Sequence, residues 1–260
     1  MNYKEIARQA RLRVLKMIYD SQVSHIGSNF SAIDIMAVLF DKVDINKDEV
    51  ILSAGWKAAS WYFFLWKKGI ITEDELNSFC KEDSPFIGLV EPQNRWGLRC
   101  AGGSMGYGLP MGVGMALAKK INNEEGNVYV LMSDGELNCG TTWESALIAS
   151  HHQLSNLRLI IDNNRFQAMG LSNNILNMGD ILEKFHTLNW CSSEIVDGHN
   201  YESIERWFHN FKHHGCENPK VLIAKTTKGK GVSFMENNNL WHYAQIKDDD
   251  YQKALKELNV

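Results

Sequence analysis

Two kinds of hydrophobic pattern alternate along the chain. Apolar residues at helical spacing predict helices, and short, fully apolar runs predict buried strands. The helical pattern covers residues 3–20, 31–42, 58–68, 73–80, 109–120, 142–153 and 201–213, with Ser31 as the expected N-cap of the second helix. The strand pattern covers residues 49–53, 128–132, 157–161, 191–196 and 220–225. Residues 82–103 are expected to be irregular.

This alternation determines the expected fold class. Strands separated by helices are typical of an α/β fold, in which a parallel β-sheet is flanked by helices on both faces. The chain has 260 residues, of which 44% are hydrophobic, and this is enough for one sizeable core. Only four prolines occur, and no linker rich in Pro, Gly or Ser divides the chain. We therefore expect a single domain over residues 1–260, with a short charged tail over 248–260.

Composition excludes several classes of partner. The net charge is −4 and the Lys and Arg residues are scattered, so the sequence has no basic patch for nucleic acid. No N-terminal signal peptide is expected, and no apolar stretch is long enough to cross a membrane. The five cysteines are odd in number and lack CxxC spacing. A reduced, cytoplasmic protein is the expectation.

Polar side chains follow two of the predicted strands. Strand 128–132 runs into Ser133-Asp134-Gly135-Glu136, and strand 157–161 runs into Asp162-Asn163-Asn164. The carboxyl ends of parallel strands meet at one edge of the sheet, where ligands of such folds bind. A carboxylate and an amide oxygen suit Mg²⁺ or Ca²⁺ rather than zinc. Taken alone, the first segment is also typical of a turn and the second of a loop.

The spacing of these segments is more specific. Asp134-Gly135 is followed by 27 residues, 136–162, and then by Asn163-Asn164. This arrangement resembles the thiamine-diphosphate motif, and the chain around it resembles the N-terminal half of transketolase. The resemblance lies in residues 24–27, 50–53, 103–118, 134–137, 143–144, 151–152, 156–157, 167–170, 196–199, 228–238 and 241–242. It is similar to the small N-terminal subunit of transketolases that are split into two polypeptides.

The resemblance implies a cofactor, thiamine diphosphate with Mg²⁺, and a set of residues that contact it. Asp134 and Asn164 would hold the metal through their side chains, and Phe166 through its carbonyl. Gly135 would give its backbone N–H to the diphosphate. The remaining positions that the family brings to the cofactor are Trp56, Gly103, Met105, Glu136 and His242, with Gly103 and Met105 at the aminopyrimidine.

The expected catalytic residues are His25, His242 and Glu144. In the family, His25 corresponds to a histidine that faces the sugar donor, and His242 to one near the diphosphate and the substrate. Glu144 corresponds to a buried glutamate of the subunit interface. The glycine-rich segment that begins at Lys228 is interpreted as a flexible active-site loop, because it lacks the spacing of a phosphate-binding P-loop.

Four positions depart from the family pattern. Trp56 and Leu89 stand where the family has histidines, Cys139 replaces a glutamate that links paired active sites, and Ser133 replaces a glycine. Loss of the histidines removes acid–base and hydrogen-bonding groups. We therefore expect a less polar pocket, and a donor that is smaller, less hydroxylated, or a modified or nucleotide-linked sugar.

The resemblance also implies a partner. No glutamate in this chain can be assigned to activate the aminopyrimidine, so a second, C-terminal subunit with a pyrimidine-binding domain is expected, in an α₂β₂ assembly. The expected activity is transfer of a two-carbon ketol unit, or a related carboligation, on a sugar-type substrate. Two alternatives stay open: a component of a 2-oxoacid decarboxylase or dehydrogenase, and a non-catalytic cofactor-binding subunit.

Overall fold

The centre of the molecule is a parallel β-sheet. The computed structural model describes residues 1–195, 197–210 and 216–259. Within these ranges the sheet has five strands in the order β1-β2-β3-β7-β6, and all neighbouring strands run parallel. Its strands are β1 (Glu49–Leu52), β2 (Val128–Ser133), β3 (Leu157–Asn163), β6 (Cys191–Ile195) and β7 (Lys220–Lys225), and a separate antiparallel pair consists of β4 (Phe166–Gln167) and β5 (Gly170–Leu171).

The register of the sheet brings the strand ends together. Ser133 pairs with Asp162 across β2 and β3, and Asn163 pairs with Lys225 across β3 and β7. Every residue of β2 is buried, as expected of a strand that is covered on both faces. The residues that follow the strands therefore meet at one edge of the sheet.

Helices cover both faces. Alternate residues of β2 enter different hydrophobic clusters: Leu131 packs in one, and Val130 and Met132 pack in the other. The first cluster contains residues of α1, α2, α3, α9 and α10, and the second contains residues of α5, α6 and α8. The helices are α1 (Tyr3–Ser21), α2 (Ile26–Lys42), α3 (Ala58–Lys67), α4 (Glu73–Asn77), α5 (Gly108–Asn122), α6 (Gly140–His151), α7 (Ser172–Ile175), α8 (Ile181–Thr187), α9 (Tyr201–Asn210) and α10 (Asp248–Leu258).

The expected fold class is confirmed, and most elements begin and end within two residues of their predicted bounds. The start of α2 is the main error. The helix begins at Ile26 rather than at residue 31, and its N-cap is His25, whose φ is 73°. Ser31 is therefore not an N-cap. It is buried inside the helix, where its hydroxyl donates to Asp162 at 2.6 Å.

The segment between β3 and β6 also differs from the prediction. It contains the β4–β5 pair and the short helices α7 and α8, none of which has a clear hydrophobic period. Helix α4 ends at Asn77, three residues early, and is held by a capping box between Thr72 and Glu75. The predicted strand 191–196 and helix 201–213 extend to residues 196 and 211–213, which lie outside the described part of the chain.

The charged tail forms helix α10, which packs against α1. The rings of Tyr19 and Tyr251 stack with their centroids 4.2 Å apart, and Leu258 is buried. The side chains of Cys191 and Cys216 are neighbours, and Cys80, Cys100 and Cys139 are free thiols; the expectation of a reduced protein stays a prediction. In the described ranges, every helix is too short or too polar to cross a lipid bilayer.

Candidate functional site

The floor of the candidate site is formed by the residues that follow β2 and β3. Asp134 is 4% exposed, and one of its carboxylate oxygens accepts a hydrogen bond from the Ser172 hydroxyl at 2.7 Å. Its other oxygen, Oδ1, is buried and has no hydrogen-bond partner within the described chain. Asp134 also borders a cavity of about 330 Å³. A buried, unpartnered carboxylate oxygen is costly, so a cation or a hydrogen-bond donor bound at this atom would be stabilising.

Asn164, which follows β3, is held in one orientation by its neighbours. Its amide nitrogen donates to the hydroxyl of Ser31 at 3.3 Å and to Asp162 at 3.4 Å. Its amide oxygen accepts from the backbone N–H of Phe166 at 3.0 Å and keeps a second lone pair. The side chain is 2% exposed, and these contacts define which end of the amide is the oxygen.

The electrostatics of Asp134 are those of a buried carboxyl that a nearby cation would stabilise in its charged form. Burial raises the pKa of its carboxyl to about 7, and the hydrogen bond from Ser172 offsets this only in part. No group of three or more His, Cys, Asp or Glu side chains in the described ranges is arranged to hold a metal. A metal here would therefore depend on the carboxylate of Asp134, the neutral oxygens of Asn164 and Phe166, and oxygens of its ligand. This donor set fits Mg²⁺.

Gly135 lies in a tight cradle. A Cβ atom at this position would be 3.2 Å from Cγ of Gln167 and 3.3 Å from Cε of Met105. Two positions that the sequence assigns to the cofactor, Gly135 and Met105, are thus neighbours in space. The absence of a side chain leaves the backbone of Gly135 open to an anionic group.

The buried side chain of Glu136 connects three segments of the site: the end of β1, the glycine-rich loop and the end of β2. It is fully buried, and its carboxylate accepts from the backbone N–H of Gly106 at 3.3 Å and of Ser133 at 2.8 Å. The hydroxyl of Ser53, at the end of β1, donates to the same carboxylate and accepts from the backbone N–H of Gly108. The observed contacts of Glu136 therefore hold the glycine-rich loop 102–108 against the strand ends.

The wall of the site contains three rings and a buried lysine. The His25 and His242 ring centroids are 4.9 Å apart, and the Tyr243 ring lies 5.6 Å from His25 and 4.8 Å from His242. Nζ of Lys228 is 2.7 Å from Nδ1 of His242 and 3.2 Å from the amide oxygen of Asn239. Lys228 is fully buried, whereas Tyr243 is 63% exposed.

Burial also shifts the pKa values along this wall. Burial and the nearby charge of Lys228 lower the pKa of His25 to about 4 and of His242 to about 3, so both rings are neutral at pH 7. Burial, followed by repulsion from Lys57, lowers the pKa of Lys228 to about 8. Neutral histidines offer one donor and one acceptor each, and Lys228 offers a cation that would gain from an anionic ligand.

A buried ion pair lies next to Asn164. Lys57 and Asp162 are both fully buried and form a salt bridge. Asp162 also accepts from the hydroxyls of Ser31 and Thr226. Burial raises the pKa of Asp162, but the charge of Lys57 and these hydrogen bonds outweigh it and leave the pKa below the ordinary value. Asp162 therefore remains a carboxylate that supports Asn164.

The positions that depart from the family lie around the glycine-rich loop. A Cβ atom at Gly103 would be 3.0 Å from Cδ2 of Leu89, so Leu89 covers the glycine that is assigned to the aminopyrimidine. Cys139 packs against Gly106, where a Cβ atom would be 2.5 Å from its own Cβ. Trp56 is half-buried in the turn after β1, and its carbonyl accepts from the Asn29 side chain at 3.1 Å.

Glu144 has a different position from the other predicted residues. It lies on α6, and it is solvent-exposed in the single chain. Exposed apolar residues adjoin it along the helix: Leu147 is 55% exposed and Ile148 is 47% exposed. The expected interface role of Glu144 therefore stays a prediction.

Sequence reasoning missed several residues of this site. Lys57 and Lys228 are ordinary surface-type residues by composition, and Ser172 lies in a segment without periodicity. Tyr243 follows the predicted His242 directly, so its place in the motif Trp241-His242-Tyr243 was the available signal. The glycines around Lys228 were the signal for the loop, but not for the burial of its lysine.

Comparison with known proteins agrees with this geometry. Residues 2–259 match the family described as "Transketolase, thiamine diphosphate binding domain". An apulose-4-phosphate transketolase subunit from Actinobacillus succinogenes is 31% identical, with 99% of this chain and 97% of that protein aligned. Human transketolase is 31% identical over 98% of this chain and 42% of its own length.

A solved structure gives the same result in three dimensions. The transketolase of Campylobacter jejuni covers 100% of this chain with a TM-score of 0.90 and 27% identity, and 43% of that protein is aligned. The chain thus spans nearly all of the apulose-4-phosphate transketolase relative, but only about two fifths of the full-length transketolases. The chain belongs to the transketolase family, in which it corresponds to the thiamine diphosphate binding domain.

Proposed function

We propose that this chain is the diphosphate-binding subunit of a two-chain, thiamine-diphosphate-dependent transketolase that transfers a two-carbon ketol unit between sugar-type substrates. The observation that carries the proposal is the buried Oδ1 of Asp134, which has no hydrogen-bond partner among the described residues. At the end of the neighbouring strand the amide of Asn164 is oriented by Ser31 and Asp162, and Gly135 leaves the backbone open. Family membership and the likeness to a transketolase subunit of the same length support the same assignment.

Each part of the site has a distinct task in this proposal. Asp134, Asn164 and the carbonyl of Phe166 would hold Mg²⁺, and Gly135 would give its N–H to the diphosphate. When bound, thiamine diphosphate supplies the reactive carbon and the electron sink. Lys228 would compensate the diphosphate charge, because it is a buried cation whose hydrogen-bond partners in the site are neutral.

The two neutral histidines would act on the substrate. His25 and His242 lie side by side, and both rings are neutral at pH 7. Nδ1 of His25 is hydrogen-bonded to the Ser24 hydroxyl and Nδ1 of His242 accepts from Lys228, so Nε2 of each ring is left for the substrate. The two rings would orient hydroxyl or carbonyl oxygens of the donor and exchange protons with them. Leu89 beside Gly103 makes the adjoining surface apolar, which favours a donor with few hydroxyls on that side.

The second subunit would complete the cofactor site. It would bring a pyrimidine-binding domain with its glutamate to the loop around Gly103 and Met105. Met105 and Tyr107 on this loop are 39% and 59% exposed, which leaves them accessible to such a domain. An α₂β₂ assembly would follow from pairing of two such heterodimers.

Cofactor binding tests the proposal most directly. The chain with its partner should bind thiamine diphosphate in the presence of Mg²⁺, as measured by calorimetry, and should transfer a ketol unit to an aldehyde acceptor. Asp134→Asn removes the charge that the metal requires and should abolish both. The matched control is Glu183→Gln, at a carboxylate that is 68% exposed on α8. Unchanged binding in Asp134→Asn would refute the metal assignment, and CO₂ release from a 2-oxoacid would favour the decarboxylase alternative.

A further inference from the structure

The turn between β6 and α9 presses against the end of β7. The backbone N–H of Gly198 donates to the carbonyl of Lys225 at 2.7 Å. A Cβ atom at Gly198 would be 2.7 Å from that carbonyl oxygen and 2.7 Å from Cγ2 of Thr226, so only glycine fits. This close approach places His199 beside the residues that follow β7.

The ring of His199 connects this turn to the next loop. Its Nε2 accepts a hydrogen bond from the backbone N–H of Thr227 at 2.8 Å. A backbone N–H can only donate, so Nε2 carries no proton. The proton of the neutral ring is therefore on Nδ1, which donates to Asp34 at 2.7 Å.

Asp34 organises a second contact to the same loop. It is 2% exposed, and it accepts two hydrogen bonds from the guanidinium of Arg11 and one from the hydroxyl of Tyr201 at 2.6 Å. Nε of Arg11 in turn donates to the carbonyl of Lys230 at 2.8 Å. The carboxylate of Asp34 thus orients both groups that hydrogen-bond to the loop after β7: the ring of His199, at residue 227, and the guanidinium of Arg11, at residue 230.

Lys228 lies between these two contacts. We call residues 226–233 the lysine loop. On its other side, the backbone N–H of Gly229 donates to the carbonyl of Gly27 at 2.9 Å. Displacement of the backbone at Thr227 would move the adjacent Lys228 side chain away from His242.

We propose that His199 is a positioning residue: in its Nδ1–H form it holds the backbone of Thr227 and so keeps Lys228 at the cofactor site. The inference rests on the proposed function for the role of Lys228 toward the diphosphate. The contact between His199 and the lysine loop does not depend on it, and the two can be tested separately.

Two substitutions of His199 each keep one of its two hydrogen bonds and remove the other. The amide of Asn reaches the place of Nδ1, so His199→Asn keeps the bond to Asp34 and loses Thr227. The amide of Gln reaches the place of Nε2, so His199→Gln keeps an acceptor for Thr227. His209→Asn is the matched control, because His209 lies on α9 with its side chain 60% exposed.

Hydrogen exchange of the full chain measures the contact. In peptides that span the lysine loop, His199→Asn should exchange on the order of tenfold faster than wild type, the effect of losing one well-formed hydrogen bond. His199→Gln and His209→Asn should match wild type. Affinity for thiamine diphosphate with Mg²⁺ should fall by a similar factor in His199→Asn alone. Equal exchange in the Asn and Gln variants, whether fast or slow, would overturn the proposal.

A measurement on the unmodified protein covers the case in which His199→Asn does not fold. The ring ¹⁵N shifts of His199 should report the Nδ1–H form at pH 7.5, and the Nε2–H form would overturn the proposal. If wild type binds no thiamine diphosphate while the exchange rates still separate the variants, the proposed function fails and the positioning of the lysine loop stands.

Discussion

Removal of one partner from the Lys57–Asp162 pair should be the most destabilising single change near the site. Both side chains are fully buried, and they come from segments that are 105 residues apart in the chain. Lys57→Met keeps the length of the side chain and removes its charge. Asp162→Asn keeps the shape of the acid and leaves the ammonium of Lys57 without its carboxylate.

The contacts of the pair predict which of the two changes costs more free energy of unfolding. Breaking a buried ion pair costs about 3–5 kcal/mol, because the remaining charge stays buried without compensation. Asp162 would keep the hydroxyl donors of Ser31 and Thr226, so Lys57→Met should lie near the lower end of this range. Asp162→Asn should lie near the upper end. The double variant leaves no buried charge, and its cost should be smaller than the sum of the single costs by about 2–3 kcal/mol.

Guanidinium unfolding at pH 7.5, followed by tryptophan fluorescence, gives the free energies for this double-mutant cycle. Lys47→Met is the control, because the Lys47–Glu125 pair is exposed on both sides and its loss should produce no measurable change. Additive costs in the double variant, or a loss of less than about 1 kcal/mol in Lys57→Met, would show that the pair is not the buried charge unit described above.

Three further changes test other parts of the structure. Because the pKa values of His25 and His242 are lowered to about 4 and about 3, the unfolded chain binds more protons at these positions below pH 6.5. The raised pKa of Asp134 acts in the opposite direction, so in Asp134→Asn, which lacks it, the urea midpoint should decrease as the pH is lowered from 6.5 to 4, and a flat profile would contradict this. Gly55→Ala places Cβ 2.2 Å from the carbonyl carbon of Gly102 and should cost about 3 kcal/mol in guanidinium unfolding; wild-type stability would contradict this. An added Cβ atom at Gly114 on α5 would have no neighbour within 4 Å, so Gly114→Ala should stabilise the chain by about 0.5–1 kcal/mol in the same assay. A loss of stability would show that the added methyl group makes an unfavourable contact.

The sheet could be predicted because its signal is local. Each buried strand is a short apolar run, and β7 has the bounds that were expected, Lys220–Lys225. The start of α2 could not be predicted, because Gly27, Ser28 and Asn29 are typical of turns. In the folded chain, the side chain of Asn29 accepts from the backbone of Ser60, and this tertiary contact helps to hold the segment in a helix.

The candidate site likewise contains features that the sequence could predict and features that it could not. The position of Asp134 and Asn164 at the carboxyl edge of the sheet could be predicted, because both follow strands whose carboxyl ends must meet. The burial of Lys57 could not, because it depends on Asp162, which lies far along the chain. The lack of a hydrogen-bond partner for Oδ1 of Asp134 in the described chain is likewise visible only in three dimensions, because it depends on which elements surround that atom.

The buried charges of the site fall into two classes, and the difference indicates what the ligand must supply. Lys57 and Asp162 compensate each other inside the chain. Oδ1 of Asp134 has no hydrogen-bond partner in the described chain, and the ammonium of Lys228 is bonded to neutral groups of His242 and Asn239. A cation alone would satisfy Asp134 and leave Lys228 uncompensated, and an anion alone would do the reverse. A metal–diphosphate pair would satisfy both, and this complementarity supports the proposed cofactor, thiamine diphosphate with Mg²⁺.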